Sequence, residues 1–78
     1  MTAFEAIAAL LDSRAADATI CPSEAARLLA GADRDWRSRM DEIHAASADL
    51  ADKGAIALSW KGVPMRAPDG PYRIGRQP

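Results

Sequence analysis

Seventy-eight residues are enough for one small domain, and a chain this short buries only about 60% of its unfolded surface, so the core must be small. Apolar residues make up 49%, charged residues 27%, and the formal net charge is −1; this fits a soluble globular domain and lacks the overall positive charge of a dedicated nucleic-acid binder. The single cysteine excludes an internal disulfide framework.

The N-terminus carries Glu5 and no lysine or arginine before Arg14, the wrong start for a secretory signal. No apolar run approaches the length of a membrane span. The cytoplasm is the expected compartment and a membrane is not an expected partner. Charge is unevenly divided: residues 1–52 hold five Arg against ten Asp and Glu, whereas residues 53–78 hold five Lys and Arg against Asp69 alone. The second part is therefore the basic one, the clearest electrostatic clue in the chain.

Thr2-Ala3-Phe4-Glu5 has the pattern of a capping box, which predicts a helix from about Ala3 to Arg14. Phe4, Ile7, Ala8 and Leu11, widened by Leu10, form its expected core stripe. Asp17 to Ile20 is a short link with room for a single bridge of strand. Pro22 suits the first position of a second helix, Cys21 its N-cap and Glu24 its positive end, and Gly31 stops it after Ala30. Ala25, Leu28 and Leu29 are its expected inward residues.

Asp33 to Lys53 reads as one helix of about five turns, capped by Asp33 and spanning 34–53. Trp36, Met40, Ile43 and Leu50 share one stripe, with Ala46 and Ser47 in the gap. Arg34, Ser38, Asp41, Ala45, Ala48 and Asp52 occupy the opposite face. Gly54 closes the helix. Ala55 to Trp60 alternates as a half-buried strand with Ile56, Leu58 and Trp60 inward. Lys61-Gly62 turns the chain, and Val63 to Gly70 reads as a loop punctuated by Pro64, Pro68 and Gly70. Pro71 to Gly75 is the return strand, and Arg76-Gln77-Pro78 a frayed end. The order predicts an α+β winged helix-turn-helix: three helices plus a small antiparallel sheet with a wing hairpin, in a single domain spanning 1–78.

Several of these segments together, namely Thr19 to Glu24, Trp36-Arg37 with Met40, Lys61-Gly62, and Gly70-Pro71 with Arg73-Ile74, resemble a small bacterial family catalogued as domain of unknown function 3253. The resemblance covers roughly Phe4 to Gly75. It implies a winged-helix fold and brings no activity with it. The family usually carries a basic residue where this chain has Ile43-His44.

Cys21 at a helix N-terminus is the one candidate nucleophile; without a second cysteine or a paired base it reads as a small capping side chain. His44 reads as a solvated surface histidine, and a lone histidine with a lone cysteine matches no zinc-ligand spacing. No metal, cofactor or enzymatic activity is expected. Trp36 and Trp60 read as core filling rather than as platforms for bases.

Arg34, Arg37, Lys61, Arg66 and Arg73 are the candidate nucleic-acid contacts, with Arg39 and Arg76 nearby. Asp33, Asp35, Asp41, Glu42 and Asp52 interleave with them and oppose phosphate binding. A local Arg37–Asp41 pair and an ion pair between Arg73 and a carboxylate of the second helix, such as Glu24, are the competing structural roles. The first functional expectation is a weak binder of double-stranded DNA that uses helix 34–53 and the basic wing. The second is a protein-interaction module, docking a protein partner or a second copy through Ala45 and Ala48 or through Val63, Pro64 and Met65.

Overall fold

The computed structural model describes residues 1–77. Helix α1 (Ala3–Asp12) starts at the expected box: Thr2 Oγ1 accepts from the Glu5 N–H at 3.2 Å, and the Glu5 carboxylate accepts from the Thr2 N–H at 2.8 Å. Those bonds hold the Glu5 carboxyl below the usual carboxylate range. The helix ends earlier than expected, at Ser13, whose hydroxyl bonds back to the Leu10 carbonyl. Its inward set also differs. Ala3, Ala6, Ile7 and Leu11 are buried with Leu10 half-buried, while Phe4 remains 45% exposed. Alanines on three helices (Ala6, Ala25, Ala26, Ala46) are almost fully buried, so the helices meet through small side chains and an aromatic ring stays outside their contact.

Strand β1 (Thr19–Ile20) leads into α2 (Pro22–Ala30), which begins and ends as expected. Cys21 is its N-cap, and the Glu24 carboxylate accepts from the Cys21 N–H at 2.7 Å. Pro22, Ala25 and Ala26 are buried with Leu29 half-buried, the i, i+3, i+4, i+7 pattern of one helix face; Leu28 is displaced from the core to 37% exposure.

The expected five-turn helix is divided. Trp36–Arg39 is a 3₁₀ turn, and α3 proper runs only over Met40–Asp52. Asp33 does not cap it. Its Oδ1 accepts from the Asp35 N–H at 3.1 Å, and Ser38 Oγ donates to the Asp35 carbonyl at 2.8 Å. Short polar side chains thus satisfy the backbone locally and compete with α-helix there. Ile43, Ala46 and Ser47 of α3 are buried against the other helices and the sheet. The C-terminus is a Schellman closure, with Gly54 at φ 74°, Ala55 N–H on Leu50 O at 2.9 Å and Gly54 N–H on Ala51 O at 3.1 Å.

Strands β2 (Ile56–Trp60), β3 (Val63–Met65) and β4 (Arg73–Arg76) complete an antiparallel sheet in the order β1-β4-β2-β3. The stretch after Gly62 was expected to be loop, but its first three residues form the edge strand β3. Lys61 (φ 51°) and Gly62 (φ 81°) both take positive φ, as a two-residue type I′ hairpin turn requires. Pro64 is tolerated because an edge strand needs no N–H on its outer side. Leu58 faces Met65 and Trp60 faces Val63. Leu58 and Met65 therefore pack on the core, whereas the next pair overhangs its end: Trp60 is 39% and Val63 65% exposed. Both Trp60 as core filling and Met65 as an exposed anchor are corrected by this register. The C-terminal end is anchored up to Gln77: Arg76 bonds Asp12 at 2.9 Å and the Leu11 carbonyl at 3.2 Å, and Gln77 Nε2 donates to the Ile56 carbonyl at 2.7 Å. Pro78 lies outside the described residues.

Candidate nucleic-acid interface

The exposed side of α3 carries Asp41, Ala45 and Asp52, with Ala48 half-buried beside them. No cation projects from this stripe. Arg39 and Lys53 stand just beyond the two ends of α3, and both are committed, Arg39 to Glu42 at 3.1 Å and Lys53 to Asp49 at 3.0 Å. A helix lying in a groove with this face would present two carboxylates and no donor to the base edges.

The five expected contact residues fare differently. Arg73 is tied down, its Nε donating to Thr19 Oγ1 at 2.7 Å and its Nη2 to the Thr19 carbonyl at 3.0 Å. Its expected partner Glu24 instead pairs with Arg14 at 3.1 Å. Arg73 thus staples β4 to β1 on the outer face of the sheet. Arg37 does not pair with Asp41; its guanidinium lies over the Trp36 ring, 4.4 Å from the centroid. Arg34 is exposed in the turn before the 3₁₀ segment, and Arg66 is exposed just after β3. Lys61, at the hairpin turn, has its ammonium 5.9 Å from the Trp60 ring.

A sixth residue was not anticipated. Arg27 of α2 also lies over Trp36, at 4.6 Å. Nine residues separate the two in the chain and no local pattern links them; only the packing of the 3₁₀ turn on α2 brings them together. Trp36 is half-buried, with its ring covered by guanidinium groups. It serves as a holder for cations and not as a free stacking platform.

Among the described residues, Arg14, Arg39, Lys53 and Arg76 make ion pairs and Arg73 is bonded to Thr19. Arg27, Arg34, Arg37, Lys61 and Arg66 have no carboxylate partner. Three gather before the N-terminus of α3. Of the two in the wing, Arg66 lines a hollow with Ala51 and Asp52 at the C-terminal end of α3.

Behind the wing tip, a mostly apolar hollow of about 250 Å³ is lined by residues including Cys21, His44, Trp60 and Tyr72. His44 is not a free surface side chain: its Nδ1 is 2.7 Å from the Tyr72 hydroxyl, and the rings are tilted at 5.6 Å. Burial pushes the Tyr72 phenol above its ordinary value; the Ser47 hydroxyl acts against that and Cys21 adds to it. Ser47 Oγ is itself fully buried and makes no hydrogen bond of good geometry. The Cys21 sulfur is held by the Ser23 hydroxyl at 3.2 Å. Among the described residues, no group of three or more His, Cys, Asp or Glu is placed to hold a metal ion, and no helix is long and apolar enough to cross a membrane.

Three helices, a four-stranded antiparallel sheet and a hairpin following α3 make an α+β arrangement consistent with a winged helix-turn-helix. The particular family agrees with the sequence resemblance. The family described as "Protein of unknown function (DUF3253)" matches residues 2–77, and the chain belongs to it. No curated protein matches the chain.

Proposed function

We propose that this domain is a binding module for the backbone of double-stranded nucleic acid, weak and with little readout of sequence. One observation carries this reading: among the described residues, the cations left without a carboxylate partner fall in two groups, Arg27, Arg34 and Arg37 before α3, and Lys61 and Arg66 in the wing. Phosphate contacts made from a helix-turn-helix turn and a wing position a duplex without reading it. The acidic stripe of α3 (Asp41, Asp52) opposes deep insertion, so base-edge contacts contribute little. The module acts by binding and not by catalysis.

The test is fluorescence anisotropy of a random-sequence duplex at about 50 and 200 mM salt; with three to five phosphate contacts, affinity falls about 40- to 500-fold between them. Absence of binding at the lower salt refutes the reading. A second reading, docking of a protein partner, is favoured by the Ala45–Ala48 stripe and by the overhanging Trp60–Val63 pair, which expose apolar surface beside α3. Under it, duplex binding is absent and Val63→Asp abolishes partner capture without changing the melting temperature.

A further inference from the structure

We infer that the helix-turn-helix turn holds a specific phosphate site, centred on Arg27 and Arg34 and organised by Trp36. This rests on the backbone-binding reading for its macromolecular ligand, although the site itself can be tested without nucleic acid. Arg27 and Arg34 line one hollow of about 310 Å³, together with Gly31, Asp33 and Trp36. Gly31, at φ 62°, terminates α2 with a conformation that side chains rarely adopt and turns the chain toward Asp33 and Arg34. Trp36 then fixes the Arg27 guanidinium from one side of the hollow at 4.6 Å. Arg37 adds a second guanidinium to the same ring at 4.4 Å, which puts the Arg27 and Arg37 charges within about 9 Å of each other.

Two arginines held by one indole, with a third beside them, repel one another. Elsewhere Arg14, Arg39, Lys53 and Arg76 each have a carboxylate to relieve their charge. Here the one carboxylate lining the hollow, Asp33, spends an oxygen on the Asp35 N–H at 3.1 Å and forms no ion pair with either arginine. An anion with several acceptor oxygens is what the hollow lacks, and phosphate matches the forked donors of two guanidinium groups better than a carboxylate does. On a duplex, phosphates of one strand recur about every 3.4 Å of rise, so one strand can occupy the hollow and reach Arg37 at once.

The experiment uses Trp60→Phe, which leaves Trp36 as the sole tryptophan reporter. Its emission is titrated with inorganic phosphate, then with acetate and chloride at matched ionic strength, and the phosphate titration is repeated with Arg27→Gln,Arg34→Gln added. A saturable change with phosphate alone, lost in the double variant, is expected. Equal responses to acetate or chloride, or a phosphate response that survives the double variant, overturn the site. If the double variant fails to fold, the single variant Arg34→Gln, at an exposed position with no ion-pair partner among the described residues, carries the same test. With duplex DNA, the double variant flattens the slope of log K against log salt by about 1.8, two contacts at about 0.9 each. DNA binding with an unchanged slope overturns the inference and leaves the wing to carry the proposed function. A phosphate response without any DNA binding refutes the proposed function, while the site stands as one for free phosphate.

Discussion

Neutralising the exposed stripe of α3, with Asp41→Asn and Asp52→Asn together, separates the two functional readings. Neither aspartate makes an ion pair, so the change removes charge without stranding a partner. Asp41 lies in the first turn of α3, where the helix dipole favours it, and Asp52 ends the helix, where the dipole disfavours it. Each effect is about 0.3–1 kcal/mol and their signs are opposite, so stability is nearly unchanged. If this face turns toward a groove, each carboxylate stands roughly 10 Å from two or three phosphates. A pair of unit charges at that separation in water repels by about 0.4 kcal/mol, and at about 50 mM salt screening removes about half of that. The sum is about 0.5 kcal/mol per aspartate and about 1 kcal/mol for the two, which makes the variant bind duplex about fivefold more tightly. Anisotropy at low salt measures it. Unchanged or weaker binding in a variant that melts normally would show that the stripe does not face nucleic acid.

Charge reversal of the wing, Lys61→Glu with Arg66→Glu, abolishes duplex binding at about 200 mM salt and leaves the fold intact by circular dichroism; retained affinity removes the wing from the interface. Met65→Asp tests the packing of the wing, because Met65 lies against the core opposite Leu58: a loss of about 1–3 kcal/mol in denaturant titration is expected, and an unaffected midpoint contradicts the register. Gly54→Ala strains a residue at φ 74° in the Schellman closure and lowers stability by about 1 kcal/mol, read from the shift of the urea midpoint. Tyr72 gives an alkaline signature. Its phenol is held above the ordinary value of 10.0, chiefly by burial, so the folded state keeps the proton longer than the unfolded chain does. That contribution to stability is complete below about pH 10 and declines as pH rises through the folded value. Tyr72 is the only tyrosine, so absorbance at about 295 nm follows it alone, and titration at or below the value of a free phenol contradicts the burial.

Local chemistry made the helix caps legible. Thr2–Glu5, Cys21-Pro22 with Glu24, and Gly54 each act within a few residues of the backbone groups they satisfy, so their geometry can be read along the chain. The two-residue turn at Lys61-Gly62 and the alternation of β2 are of the same kind. The Asx turn at Asp33 is also local, but its residues equally suit a helix cap, and only the packing of Trp36 on α2 decides between them.

What periodicity leaves open is which of two adjacent stripes faces inward. Phe4 and Leu28 are more hydrophobic than Ala3, Ala6 and Ala26, but close helix packing admits the alanines and turns the larger groups outward. Trp60 sits on the correct face of its strand and still overhangs the core, because depth along a strand depends on where the helices end. The arginines show the same division most clearly. Their excess in certain segments is visible in the chain, whereas their pairing is not. Arg73 is occupied by Thr19, 54 residues away, and Arg27 is joined to Arg37 through a tryptophan. The sequence by itself determines the starts of α1 and α2, the C-terminal closure of α3, the alternation of β2 and the placing of charge along the chain, since these act over one turn of backbone. Which cations remain free to meet an anion is decided only by tertiary contacts, because neutralisation depends on distance in space.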